Sequence, residues 1–210
     1  VVHQLRDGWS GEQPFLIGGA VGPRGDGYRV GATMDPDAAA SYHSFQIDAF
    51  ARTTVDVVTA MTLCYVDEAI GIARAARHAN LPVVIAFTLE TDGALPSGMA
   101  LDDAIDATDE ATNGYPTHYM VNCAHPTHFA HLFADAPPWT SRIGGIRANA
   151  SSLSHAELDE ALELDRGDPD DLAASYLELR ALLPSLHVLG GCCGTDHHHV
   201  EAIARAFCAR

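Results

Sequence analysis

Six short runs of almost unbroken apolar residues recur along this chain, each followed by a longer stretch with helical spacing. No other feature restricts its fold as strongly. The runs are "FLIGGAV" (15–21), "DVVTAM" (56–61), "PVVIAFT" (82–88), "HYMVNC" (118–123), "RIGGIRAN" (142–149) and "LHVLGG" (186–191). A strand that reads as a continuous apolar run is buried on both faces, the condition inside a parallel sheet covered by helices. Between the runs, Tyr42, Phe45 and Ala49, then Val66, Ile70 and Ala73, fall at helical spacing. Leu172, Tyr176, Leu179 and Leu183 follow, then Val200, Ile203, Ala204 and Phe207. Stripes of this kind pack helices onto a sheet and need no functional account.

The order is therefore β-α six times, with no shift of composition to mark a second domain, so residues 1–210 read as one domain. Such alternation builds an open doubly wound sheet or a closed (β/α)8 barrel. A barrel takes about 250 residues and eight strands, so a barrel reading requires two β-α units to be missing. The chain opens without methionine on a polar stretch, "VVHQLRDGWSGEQ", that reads as a connector, and the domain is expected to be amino-terminally incomplete. The longest connection, about 150–168, is acidic and reads as a surface helix and loop.

Charge narrows the partners. The formal net charge is −16, with 12 Lys plus Arg, too few to build the basic face that nucleic acid requires. No stretch reaches the roughly 20 apolar residues of a membrane helix, and no basic-then-apolar leader opens the chain. Small-molecule partners are expected. The five cysteines, Cys64, Cys123, Cys192, Cys193 and Cys208, are odd in number and follow no framework spacing, which points to a reducing compartment such as the cytoplasm. Adjacent Cys192 and Cys193 close a disulfide ring only with strain, so reduced thiols are expected there.

Cys123 ends one predicted strand and Cys192-Cys193 follow another, at the carboxyl ends where parallel α/β folds build their sites. Three thiolates converging from two strand ends would make a zinc site with an open fourth position, suited to a substrate thiol. Zinc lowers the pKa of a coordinated thiol and so yields a thiolate near neutral pH. Gly190, Gly191 and Gly194 would let two neighbouring side chains approach one ion. Spacing alone leaves this open beside the plainer reading of packed cysteines, which is preferred for Cys64 and Cys208. His197, His198 and His199 open the last helix about 100° apart, so at most two reach a common ion; Asp196 or Thr195 is placed as its N-cap. His118, His125 and His128 bracket Cys123 and read as loop surface, the latter two with the alternative of supporting the ligands.

"VNCAHP" followed by "GGCCGTDHHHVEAIA" resembles the homocysteine S-methyltransferase family, which includes betaine–homocysteine methyltransferase and the homocysteine module of cobalamin-dependent methionine synthase. "GGAVGPRGDGY" (18–28), "DEAIGIARAARHANLPVVIAFTLETDGALPSGMAL" (67–101) and "ANASSLSHAELDE" (148–160) extend the likeness through nearly the whole chain. The resemblance implies a (β/α)8 barrel that holds zinc through Cys123, Cys192 and Cys193. Its reaction would move a methyl group from a donor to the thiol of homocysteine, giving methionine. Asn122 matches the Asn beside the first ligand, and His199 the histidine that supports the helix start. Counted back from the Cys-Cys strand as the eighth, "FLIGGAV" is the third, in agreement with two missing units.

Two departures matter. The opening strand of the family, with its acidic residue near the substrate, is absent. Many members also end the fourth strand on a glutamate that grips the amino group of homocysteine, where this chain has Met61; Thr62 is a weaker substitute. Glu90 and Asp92 would offer carboxylates near the substrate, or else form a polar loop turned by Gly93. The leading expectation is a zinc-dependent S-methyltransferase acting on a small-molecule thiol and a methyl donor. The alternatives are a catalytically inactive zinc-binding barrel or accessory protein, transfer to a different thiol, and, more remotely, a redox protein using Cys192-Cys193. Relatives use S-methylmethionine, S-adenosylmethionine, a betaine, or a corrinoid or folate; neither the donor nor the oligomeric state is legible in these residues.

Overall fold

The computed structural model describes residues 1–12 and 14–208. Its six strands are β1 (Gly18–Val21), β2 (Val57–Leu63), β3 (Val83–Phe87), β4 (His118–Asn122), β5 (Ile143–Ala148) and β6 (Val188–Gly191). Each falls within or over one of the six apolar runs. They form one sheet in the order β1-β2-β3-β4-β5-β6, parallel at every pairing. The helices are α1 (Val2–Asp7), α2 (Pro36–Ala51), α3 (Val66–His78), α4 (Leu101–Thr112), α5 (Pro126–Phe129), α6 (His155–Glu160), α7 (Pro169–Leu182) and α8 (His197–Cys208). The connection between β4 and β5 carries the short α5 and two 3-10 turns rather than a full helix.

The strands alternate between two environments. Val58, Ile85, Val121 and Ile146 join Ile47, Ile72, Ile105, Tyr176 and Ile203 in the large core between sheet and helices. On the opposite face Val84, Ala86 and Met120 form a second cluster, flanked by Val57, Met61 and Val188. All five residues of β3 are buried, the two-sided burial that an apolar run without alternation predicts.

The sheet is curled. β1 and β6 lie at opposite ends of the strand order, yet the hydroxyl of Tyr28, in the loop after β1, lies 3.7 Å from the sulfur of Cys193, after β6. Strands near 4.8 Å apart cannot bring those loops together in a flat sheet. The result is an open half-barrel with its inner face lined by the second cluster. The closed eight-stranded barrel is not formed, because six strands in sequential order leave β1 and β6 as unpaired edges among the described residues.

Two helical stripes are corrected. On α2 the buried residues are Ala39, His43 and Ile47, whereas Tyr42 and Phe45 are 53% and 85% exposed. The helix is turned toward α3: His43 bonds Glu68 and Ala39 lies against Gly71, where a side chain would collide. On α8 the buried residues are His199, Ala202 and Ile203, while Val200 and Ala204 are exposed. His199 takes the inward position because its imidazole bonds the carbonyl of Arg166 at 2.9 Å. The stripe of α7 is buried as expected at Leu172, Tyr176, Leu179 and Leu183, and α3 buries Ile70 and Ala73. The acidic 150–168 connection contains α6, closed by a capping box between Ser154 and Glu157. Among the described residues no helix is long and apolar enough to cross a membrane.

Candidate metal centre

The end of β5 is the template on which the cysteines gather. The amide of Cys123 donates to the carbonyl of Arg147 at 3.1 Å, and that of Cys192 to the carbonyl of Ala148 at 2.8 Å. The amide of Cys193 donates to the side chain of Asn149 at 3.2 Å, and its carbonyl accepts from Ala150 at 2.9 Å. Cys123 adopts a left-handed backbone, φ 54°, immediately after β4. Gly194, at φ 77°, turns the chain past the carbonyl of Asp165, where a side chain would not fit.

Together these bonds bring the sulfurs of Cys123, Cys192 and Cys193 within 4.8 Å of one another, with Cys123 and Cys193 4.0 Å apart. Tetrahedral zinc with Zn–S bonds near 2.3 Å spaces its sulfurs roughly 3.8 Å apart, so the donor set and the Cys123–Cys193 separation fit that ion. The expectation of reduced thiols is corrected in one respect. Cys192 is bonded to Cys123 in a disulfide, their Cα atoms 5.5 Å apart, while Cys193, Cys64 and Cys208 are free. The physical reason is the convergence itself: two sulfurs that share an ion stand close enough to bond each other once oxidised.

Behind Cys123 lies a closed set of hydrogen bonds. Asn122 is 1% exposed; its side-chain oxygen accepts from the amide of Thr62 and its nitrogen donates to the Thr62 hydroxyl, both at 2.8 Å. The hydroxyl in turn points its proton at Cys123, 4.0 Å away. Thr62 reaches this position through a left-handed backbone at φ 61°. Met61, beside it, packs against the inner-face cluster.

In front of Cys193 stands Tyr28, its ring 4.4 Å from the imidazole of His155. Burial, reinforced by the hydrogen bond to Cys193, pushes the Tyr28 hydroxyl far above the usual phenol range, so it keeps its proton beside that sulfur. Burial also lowers the pKa of His155, leaving a neutral ring whose Nε2 donates to the carbonyl of Leu89 at 3.2 Å. Cys64 is held apart from this chemistry. It donates to the carbonyl of Gly27 at 2.9 Å, and burial pushes its pKa up to about 12.

Tyr28, His155 and Cys193 border a cavity of about 520 Å³ that also receives Glu90, Asp26 and Asp165. Five carboxylates line it against one guanidinium, that of Arg29, which lies 3.6 Å from Asp159. Glu90 thus lines the cavity, whereas Asp92 accepts the amide of Ala94 within its own loop. The structure does not bring the histidines to the sulfurs. His125 accepts the amide of Thr127 and His128 bonds the carbonyl of Ser152, while His118 meets His187 at the start of β4. Asp196 caps α8 through the amide of His198, and with His197 and His198 forms a separate, mostly exposed group. Tyr28 and His155 escaped the sequence reading, although both sit in the quoted stretches "GGAVGPRGDGY" and "ANASSLSHAELDE", Tyr28 in the loop after β1 and His155 at the start of α6 after β5.

A family model described as homocysteine S-methyltransferase matches residues 1–207. No curated protein sequence matches the chain. Among solved structures, the apo form of the homocysteine methyltransferase MmuM from Escherichia coli superposes with a TM-score of 0.65 at 19% identity, covering 91% of this chain and 62% of that one. The metallated form gives 0.66 at 20% identity, with 91% and 61% covered. The oxidized form gives 0.69 at 19%, with 90% and 61% covered. The chain thus spans somewhat less than two thirds of the length of these structures, and at such identities the likeness establishes the fold.

Proposed function

The chain belongs to the homocysteine S-methyltransferase family, and from that premise we propose that it is a zinc-dependent S-methyltransferase that methylates a small-molecule thiol, homocysteine being the acceptor the family points to. The observation that carries the proposal is the convergence of three sulfurs from two strand ends into one cluster. Cys123, Cys192 and Cys193 would hold the ion. Bound there, zinc would supply an acceptor thiol in its ionised, nucleophilic form at neutral pH.

The surrounding residues divide the remaining work. Thr62 directs its hydroxyl proton at Cys123, and the Tyr28 hydroxyl would donate to Cys193 once that sulfur is ionised, so two of the three sulfurs have a neighbour that favours the thiolate. Asn122 fixes Thr62 in that orientation. The carboxylates of Asp26, Glu90 and Asp165, with the Tyr28–His155 rings, suit a donor whose methyl group is carried on a cation, a sulfonium or quaternary ammonium. The disulfide between Cys123 and Cys192 must be reduced before loading, which fits a working protein in a reducing compartment such as the cytoplasm.

Met61 favours a second reading, a barrel that binds zinc without transferring methyl groups, since it offers an ammonium no partner. One experiment separates the two. The reduced chain should bind about one zinc, the Cys192→Ala variant should lose it, and the zinc form should convert homocysteine to methionine with a sulfonium donor. Zinc retained by the variant would refute the ligand set; zinc with thiol binding but no transfer would favour the second reading.

A further inference from the structure

The six strands hold no Asp or Glu, and one strongly basic residue, Arg147. It belongs to the inner face. Ile146 and Ala148, its neighbours on β5, point into the helix-covered core, and Gly145, two residues before it, abuts Met120 and Val188 of the inner cluster. Its stem lies over Gly190, the residue beside it on β6, which has no side chain to cover it. Its carbonyl accepts the amide of Cys123, and its Nε donates to the carbonyl of Gly191, which precedes Cys192, at 3.3 Å. Arg147 is exposed and lies beside the two strand ends that present the sulfurs, and its two terminal nitrogens bond nothing among the described residues. A guanidinium with free donors on a fixed stem is built for bidentate contact with a carboxylate.

Resting on the reading of the cluster as the thiol site, we infer that Arg147 recognises the acceptor by its carboxylate and that the α-ammonium of an amino-acid thiol is not recognised. The acceptor class is then short thiol carboxylic acids, homocysteine binding as one of them through its acid group alone. The two side chains at the end of β2 agree. Met61 has no group to meet an ammonium, and the hydroxyl of Thr62 is already engaged by Asn122 and directed at Cys123. The carboxylates of the site lie elsewhere, in the cavity beyond Cys193.

The test is calorimetric and needs no turnover. The reduced, zinc-loaded chain is titrated at pH 7.5 with homocysteine, 4-mercaptobutanoate and 1-butanethiol, which share a thiol and differ in acid and amine. Expected are 4-mercaptobutanoate binding at least as tightly as homocysteine and butanethiol about tenfold more weakly than either. In Arg147→Gln the acids should fall to the level of butanethiol, with butanethiol itself changed by less than twofold. Homocysteine binding tenfold tighter than 4-mercaptobutanoate would overturn the inference, as would equal losses for all three ligands in the variant. If Arg147→Gln fails to fold, the ranking of the three ligands on the unsubstituted chain decides. Zinc present but no heat from any thiol, butanethiol included, would instead remove the thiol-site reading beneath it.

Discussion

The two sides of the sulfur cluster are built from different parts of the chain and carry opposite charge. The cavity beyond Cys193 is made by the connections between strands, from Asp26 and Tyr28 after β1, Glu90 after β3, and α6 with the loop to Asp165 after β5, and it gathers five carboxylates. The inner face beneath Cys123 is made by strands, is largely apolar, and has Arg147 as its one strongly basic side chain. The neighbouring strand positions are buried and apolar, whereas the Arg147 side chain reaches solvent at the open side of the half-barrel. Loop positions reach solvent and tolerate charge freely. Under the proposed function the contrast teaches which substrate each side would discriminate: the loop side would collect a cation by a diffuse field, whereas Arg147 would read one acid group by geometry.

The strongest way to break this division is to remove the cysteine common to both sides. Cys123→Ser should abolish zinc binding and lower methyl transfer by at least about 10³-fold, as metal analysis and product assay will show. Transfer that survives would mean that the cluster does not organise the two sides at all. A milder break is Thr62→Val, which keeps the shape and deletes the hydroxyl. It leaves the buried Asn122 nitrogen without its acceptor, a cost of about 1–3 kcal/mol in chemical denaturation. It also removes the proton directed at Cys123, for which zinc affinity should fall about tenfold in chelator competition. A Thr62→Val chain with unaltered zinc affinity would confine Thr62 to packing.

Charge on the loop side can be tested alone. Glu90→Gln should raise the KM for a cationic donor about fivefold, near 1 kcal/mol for a partly exposed carboxylate, and leave thiol affinity unchanged. A matched loss of thiol affinity would show that Glu90 serves the acceptor, the role a sequence reader first gives it.

Much of this was legible before any coordinates. The six apolar runs predicted six strands because burial on both faces leaves no polar alternation to confuse them, as β3 shows at all five positions. The gathering of Cys123, Cys192 and Cys193 was legible through a motif at strand ends. Other features resisted. Tyr42 and Phe45 have the spacing of a core stripe, but His43 is drawn to Glu68 across the α2–α3 contact, and that pairing is long-range. Arg147 lies within an apolar run, where a single charge looks like a strand edge until the register places it between Asn122 and Gly190. Tyr28 meets Cys193 across 165 positions of chain, a contact that only the curl of the sheet creates.

The far end of the inner face offers the smallest and sharpest test of its polarity. His118 opens β4 on that face two residues before Met120, against the ring of His187 at 4.8 Å between centroids, and its Nε2 has no partner among the described residues. Burial first, then the charges of His187 and Arg142, lower its pKa from 6.5 to about 4. The unfolded chain therefore takes up this proton before the folded one does. The stabilisation is complete above pH 6.5 and is lost progressively as the pH falls toward 4, because charging His118 would put a second cation on a face already holding Arg147. Solvent reaching the open half-barrel reduces the effect to about 1 kcal/mol. The urea midpoint should accordingly drop between pH 7 and pH 5, and drop less in His118→Gln. Equal slopes for the two chains would mean that the inner face accepts a positive charge at its base, and the apolar character assigned to it would have to be confined to the strand centres.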